Sequence, residues 1–194
     1  MSGTIIEGIS LYIPTYNRRD QLIRLLKSIE SSDYTDLYEI IISDNNSPYN
    51  VLDEILKEFP IQFCEKCRIH INNTNIGSSG NIRNAFLYCK TKWLWIIGDD
   101  DEILQSSIKT IKDKISENPE SAFLKFSTET ECNGEVGILK EDNCQMKSLQ
   151  DLIDYYKKRH NSVRCIGSLV FISNNIINIE LLAPYIRYAF EYST

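Results

Sequence analysis

Trp93-Leu94-Trp95-Ile96-Ile97-Gly98-Asp99-Asp100-Asp101-Glu102-Ile103 joins an apolar run directly to an acidic one. Five apolar residues in a row, two of them Trp and two Ile, read as a strand buried on both faces. Four acids then follow Gly98, and their mutual repulsion disfavours such close packing unless they share a cation. A hard divalent ion, Mg²⁺ or Mn²⁺, takes carboxylate oxygens and leaves part of its shell for a phosphate. In open α/β sheets ligands bind just beyond the carboxyl ends of strands, where this cluster would sit. The plainer alternative is a solvated acidic turn at the start of the next helix.

Outward from this stretch the pattern repeats. Ile9–Ile13 is a short apolar strand stopped by Pro14. A loop, Thr15–Arg18, leads to a helix opened by Asp20, with Leu22, Ile23, Leu25, Leu26 and Ile29 on one face. Tyr38–Ile42 is a second strand, stopped by the turn-forming run Ser43–Pro48. Val51, Leu52, Ile55, Leu56 and Phe59 mark a second helix ended by Pro60. Arg68–Ile71 is a third strand, followed by a small polar loop and a helix over 81–90 that buries Ile82, Ala85, Phe86 and Cys89. Ile103–Ile115 is the helix after the acids. Four strand–helix alternations predict an α/β fold: a mixed, mainly parallel sheet flanked by helices on both faces.

After Pro119 the rhythm breaks. Ala122–Phe126 reads as a strand, 128–143 as polar and irregular, and 149–156 as helix. Cys165–Ile172 reads as another strand and Ile176–Tyr192 as helix. No Pro-, Gly- or Ser-rich linker interrupts the chain, so 1–194 is expected to be one domain, with halves at 1–118 and 119–194.

The 42% apolar and 25% charged composition excludes a disordered chain. A net charge of −6 and a pI near 5.0 argue against broad nucleic-acid binding. Met1–Gly8 lacks the features of a secretory signal, and every apolar run is strand-sized. A cytoplasmic chain is expected, with peripheral attachment to the inner face of a membrane left open. The cysteines then read as reduced thiols. Cys64-x-x-Cys67 followed by His70 has metal-ligand spacing, but no second pair completes a zinc site, and His70 is more simply one side chain of the third strand.

Each of the four strands ends in a loop able to meet a ligand. Pro14-Thr15-Tyr16-Asn17-Arg18 offers an aromatic face, an amide and a cation. Asp44 and Asn45 can read a base or ribose, and Asn75 with Gly77–Asn81 permits close backbone approach at a helix start. Asp99–Asp101 supply the metal ligands. Taken singly, each loop could be no more than a turn. Together they describe a nucleotide site. There is no G-x-G-x-x-G after the first strand, no G-x-x-x-x-G-K-[ST] and no G-x-S-x-G, so dinucleotide, P-loop and hydrolase readings fail.

Ile9–Arg18, Glu39–Ser47, Asn75-Ile76-Gly77 with Asn81, and Asp99-Asp100-Asp101 resemble, in order and spacing, the family 2 glycosyltransferases of the GT-A (Rossmann-like) fold. They are similar in particular to the bacterial, abequosyltransferase-like enzymes of surface polysaccharides such as O-antigen or capsule. The resemblance implies a nucleotide-diphosphate sugar donor and a glycan or lipid-linked acceptor, with no nucleic acid. Pro14, Thr15, Tyr16 and Arg18 would border base and phosphates, Asp44 would contact the base, and Asn75, Gly77 and Asn81 would line the donor pocket. Asp99, Asp100 and Asp101 would match the DxD motif, with Mg²⁺ or Mn²⁺ bridging it to the diphosphate. Two positions depart from the pattern: Asn45 stands where a second acid is usual, and Gly98 falls where the first acid of D-x-D-D would be. Asp99-x-Asp101 is an equally readable register.

The family's inverting displacement needs a carboxylate base for the acceptor hydroxyl. Glu180 and Glu191 are available but sit in no clear motif and read as helix-surface acids, so the base is unassigned. A sugar-phosphate nucleotidyltransferase would need a glycine-rich loop after the first strand, which Pro14–Arg18 is not. Cys165–Phe171 resembles the strand under the family's acceptor site, and the chain ends soon after Phe190-Glu191-Tyr192. It therefore reads as a short member of its type, truncated or naturally so. An alternative follows from that length: a catalytically incompetent donor-binding fragment or partner subunit.

Overall fold

The computed structural model describes residues 5–132, 135–139, 151, 154 and 172–183. Two compact units are present, Met1–Leu124 with Ile176–Thr194, and Lys125–Asn175.

In the first unit, β1 (Ile6–Thr15) is the strand on which the others are laid. Leu11, Tyr12 and Ile13 are all buried, as are Ile40, Ile41 and Ile42 of β2 (Leu37–Asp44) and Trp93 to Ile96 of β4 (Thr91–Ile96). Consecutive burial means that both faces are covered, which is why these runs show no alternation. β3 (Cys67–Ile71) lies outside β2, and all three pairings, β1–β2, β1–β4 and β2–β3, are parallel. With β5 (Phe123–Lys125) and β8 (Asn175–Asn178) the sheet has six strands in the order β3-β2-β1-β4-β8-β5.

The helices are α1 (Arg19–Glu30), α2 (Val51–Glu58), α3 (Ile61–Cys64), α4 (Gly77–Arg83), α5 (Ala85–Tyr88) and α6 (Ser107–Glu117). α1 buries Leu22, Ile23, Leu25, Leu26 and Ile29, the stripe its spacing predicts. Asn50 caps α2 by accepting from the amides of Leu52 and Asp53. The chain moves from β1 to β2 to β3 in one direction and then returns to place β4 on the other side of β1. Right-handed crossovers therefore put α1 and α2 on one face and α4–α5 on the other. The reversal leaves a crevice at the carboxyl ends of β1 and β4, the switch point at which such sheets bind ligands.

Several elements differ from the sequence reading. β1 runs through Pro14 instead of stopping at Ile13. Tyr12 O accepts from Ile97 N on the β4 side while Thr15 O accepts from Asn45 N on the β2 side. By alternation the missing N–H of Pro14 faces the β4 side, beyond the last β1–β4 pair, Tyr12 with Ile96, so no ladder bond is lost. The helix after the acids begins at Ser107 rather than Ile103, and the Ile103 amide donates to Ser28 Oγ on α1 at 3.0 Å. The helix expected over 81–90 begins at Gly77 and is divided at Asn84 into α4 and α5. It buries Asn81, Asn84, Ala85 and Cys89, and leaves Ile82 and Phe86 only half-buried.

The span 176–192 is not helical from its start: Ile176–Asn178 belong to β8, antiparallel to β4 with Trp93 opposite Asn178 and Trp95 opposite Ile176. This pairing serves backbone groups on the edge of β4 that would otherwise be buried without partners. A helical turn follows at 179–183, and the remainder of that span lies outside the described residues. In the second unit, the stretch expected to be irregular contains an antiparallel hairpin, β6 (Thr128–Cys132) with β7 (Glu135–Leu139). Asn133-Gly134 between them is the strongest short hairpin signal in the sequence. The expected helix at 149–156 and strand at 165–172 lie outside the described residues, except for 151, 154 and 172.

Candidate functional site

The carboxyl ends of β1 and β4 bring Thr15, Arg18, Asp99 and Asp100 together. Asp99 is 5% exposed, and its two oxygens accept from Thr15 Oγ1 at 2.8 Å and Arg18 Nη1 at 3.1 Å. Burial pushes this carboxyl above its usual range, against the opposing pull of the Thr15 hydroxyl and the Arg18 cation. The same Arg18 nitrogen donates to Asp100 Oδ2 at 3.0 Å. The backbone of the acidic loop is held from α1: Arg24 Nη2 donates to Asp100 O at 2.8 Å, and Arg24 Nε pairs with Glu102 at 2.9 Å. Tyr16, 46% exposed, presents its ring at the end of β1, beside the half-buried Pro14.

At the end of β2, Asp44 is fully buried and accepts from the Ser47 amide at 3.1 and 3.2 Å and from its hydroxyl at 2.5 Å. Ser47 Oγ in turn accepts from Asn17 N at 2.8 Å, which ties the β1 loop to the β2 loop. Asn17 and Asn46 adopt left-handed φ values of 53° and 71°, a conformation Asn tolerates better than most residues. Tyr49 was not singled out by its sequence context. Its hydroxyl is buried, and burial pushes its pKa up.

At the end of β3, asparagines form a ladder. Asn81 is buried and does not face open space: its amide donates to Ser43 O at 2.8 Å and accepts from Ser43 Oγ at 2.7 Å and Asn72 Nδ2 at 3.1 Å. Tyr12 OH donates to Asn81 O at 2.6 Å, and Asn84 Nδ2 to Asn72 Oδ1 at 3.1 Å. Asn75 and Gly77 are exposed on the loop above, where the Gly77 amide donates to Asn75 Oδ1 at 2.9 Å and Gly77 takes φ 77°. The crowding of asparagine in residues 72–84 is the available sequence signal for this ladder, and it reads as a loop.

The profile of Glycosyl transferase family 2 matches residues 10–177. The chain belongs to this family. It is 30% identical over 129 residues to a GalNAc(5)-diNAcBac-PP-undecaprenol beta-1,3-glucosyltransferase of Campylobacter jejuni, covering 64% of this chain and 40% of that protein. To abequosyltransferase RfbV of Salmonella typhimurium it is 29% identical over 169 residues, 87% of this chain and 45% of the relative. The chain thus spans less than half the length of these two relatives. Among solved structures, S. aureus TarS 1-349 superposes with a TM-score of 0.69 at 19% identity, over 91% of this chain and 48% of that one. TarS 1-349 is also known with UDP and with UDP-GlcNAc. The mannosyltransferase PcManGT of Pyrobaculum calidifontis, in complex with GDP-Man and Mn²⁺, superposes with a TM-score of 0.60 at 13% identity, over 93% of this chain and 47% of that one. These neighbours establish the GT-A fold.

Family 2 domains of this fold commonly use a divalent metal, and Gly98 offers a measure of whether these acids fit one. A Cβ at Gly98 would meet Asp100 Oδ1 at 2.9 Å and Asp101 Oδ2 at 3.0 Å. Two hard carboxylate oxygens therefore lie close together over the glycine, a donor set suited to Mg²⁺ or Mn²⁺. Asp101 Oδ2 also accepts from Gly98 N at 3.2 Å. Among the described residues no three His, Cys, Asp or Glu side chains converge on one point, so the fit is to a pair of acids with the rest of the shell left to ligand and water.

Of the two candidate bases, one is placed and lies apart from the crevice. Glu180 is exposed and pairs with Lys92 at 3.8 Å, at the amino end of β4, opposite to the end that carries the acids. Glu191 lies outside the described residues. Cys64 and Cys67 turn their sulfurs to backbone carbonyls, Phe59 O at 3.7 Å and Phe63 O at 3.5 Å, and burial pushes the Cys67 thiol up to about 12. His70 stacks on Tyr88 with ring centroids 4.0 Å apart. Burial thus keeps the two thiols protonated and, with Arg68 nearby, favours the neutral form of the His70 ring.

Proposed function

We propose that this family 2 domain binds a nucleotide-diphosphate sugar in the β1–β4 crevice and transfers the sugar, with inversion, to a glycan or lipid-linked acceptor in bacterial surface polysaccharide synthesis. The observation that carries this reading is the gathering of Thr15, Arg18, Asp99 and Asp100 at the switch point. Tyr16 supplies a face for a base and Asn75 with Gly77 a backbone wall, while the buried Asp44 shapes the loop at the end of β2 through Ser47. Arg18 is within reach of a diphosphate. Asp100 and Asp101 would hold Mg²⁺ or Mn²⁺, which when bound offsets the negative charge growing on the leaving diphosphate. In the transfer the sugar C1–O bond to phosphate breaks, the C1–O bond to the acceptor forms, and the hydroxyl proton passes to a base. The complexes of TarS 1-349 with UDP-GlcNAc and of PcManGT with GDP-Man support the ligand class. Action beside the inner face of a membrane fits a lipid-linked acceptor. Among the described residues no helix is long and apolar enough to cross a membrane.

Calorimetric titration with UDP, GDP, dTDP and CDP sugars, with and without Mn²⁺, tests the proposal. No binding to any of them, or binding untouched by Asp100→Ala with Asp101→Ala, overturns it. A second reading is a donor-binding module without transferase activity. Turnover by the chain alone excludes that reading.

A further inference from the structure

Asn45 occupies the position where the family resemblance leads one to expect a second acid, and its surroundings explain why an amide stands there. The residue is 3% exposed, and both ends of its side chain are in use. Asn45 Oδ1 accepts from the Ile76 amide at 3.0 Å and from Asn72 Nδ2 at 3.0 Å. Asn45 Nδ2 donates to Asn75 Oδ1 at 2.8 Å and to Gly77 O at 3.3 Å. Its backbone amide donates to Thr15 O at 2.9 Å. One residue thus joins the end of β1, through its backbone amide, and three successive residues of the loop that enters α4, through its side chain.

An aspartate could not replace it. A carboxylate is acceptor-only, so two oxygens, Asn75 Oδ1 and Gly77 O, would face a buried negative charge. Turning the Asn75 amide over would present a donor to the carboxylate but would take away the acceptor of the Gly77 amide. Gly77 O would still face the charge. The loop needs one donor group and one acceptor group at this point, and among side chains of this length only asparagine supplies both.

We infer that Asn45 is a positioning residue for the donor: it holds Asn75, Ile76 and Gly77 against the end of β2, beside Asp44. This rests on the reading of the loop as a wall of the donor pocket. The role is indirect, through the loop, so it predicts a particular kinetic pattern. Asn45→Asp should raise the donor KM about tenfold or more, while kcat at saturating donor and the acceptor KM stay within about twofold.

The loop itself can be read without any ligand. In Asn45→Asp the Ile76 acceptor survives while the two donated bonds are lost, so hydrogen exchange should quicken at Gly77 and leave the core amides of Ile40 and Ile41 unchanged. Should Asn45→Asp fail to fold, Asn45→Ala removes the side chain without burying a charge and leaves the Asn75 acceptor of the Gly77 amide in place, and exchange should quicken at Gly77 and at Ile76, whose amide loses its acceptor. Unchanged exchange at Gly77 in the variant that folds overturns the inference. So does a donor KM within twofold of the parent, or an equal fall in kcat without a change in KM. If the parent chain binds no nucleotide sugar, the proposed function fails, and the exchange data still decide whether Asn45 holds the loop.

Discussion

Removing one hydroxyl, in Thr15→Val, tests whether the buried acid of the crevice is held ionised by its neighbours. Thr15 is 2% exposed and donates to Asp99 Oδ2 at 2.8 Å, so valine fills nearly the same space and deletes the donor. A hydrogen bond to a buried charged group is worth about 1.5–3 kcal/mol, and no water can replace this one. At about 2–4 °C per kcal/mol for a chain of this size, Tm at pH 7.5 should fall by roughly 3–12 °C. The sign with pH is fixed by which form the hydroxyl favours. It stabilises ionised Asp99, so the substitution lifts a carboxyl that burial has already raised. The difference between parent and variant is therefore full where Asp99 is ionised and shrinks as pH falls through its raised pKa. Urea denaturation of both proteins at pH 7.5 and pH 4.5 measures it. A loss under about 0.5 kcal/mol at pH 7.5, or the same loss at both pH values, would refute the reasoning.

Three further outcomes are expected. Gly98→Ala places a methyl where Asp100 Oδ1 and Asp101 Oδ2 now lie, so the two carboxylates must move at a cost to stability of about 1 kcal/mol or less, and titration should find that Mn²⁺ no longer alters nucleotide affinity. Glu39 holds Arg68 through bonds of 2.8 and 3.0 Å and accepts from Ser10 Oγ at 2.9 Å, all within the sheet. Glu39→Ala should cost about 3 kcal/mol by urea denaturation, and Glu39→Gln, which keeps an acceptor, clearly less. At pH 8 a thiol with a pKa of about 12 is ~10⁻⁴ thiolate, so Cys67 should stay unlabelled by iodoacetamide in the native protein and react once the chain is unfolded in urea.

The strands and the first helices were legible because their cause is local: runs such as Leu11–Ile13 and Ile40–Ile42 are apolar, and the α1 stripe has a helical period. The position of the loops followed from the alternation. Less legible were features whose cause is a partner far along the chain. The resemblance implies that Asn81 lines the donor pocket, and no motif singles out Asn84, yet both face inward because Ser43 and Asn72 satisfy them. Asn45 looked like a weakened acid until its four hydrogen bonds were seen. Pro14 reads as a stop, and only the end of the β1–β4 pairing reveals that its missing amide is harmless. Asn175–Asn178 is too short for any period to distinguish strand from helix; the free edge of β4 decides it.

That edge has a kinetic consequence. β1, β2, β3 and β4 leave the ribosome in succession and can pair in that order, but β4 acquires its outer neighbour only when residues 175–178 emerge. At roughly 5–20 residues per second this is an interval on the order of ten seconds. During it, the growing chain carries an open strand edge beside Trp93 and Trp95, a template for pairing with other nascent chains. The step most exposed to aggregation in cells is therefore the wait for β8, and chaperone capture should be strongest on chains arrested just before residue 175.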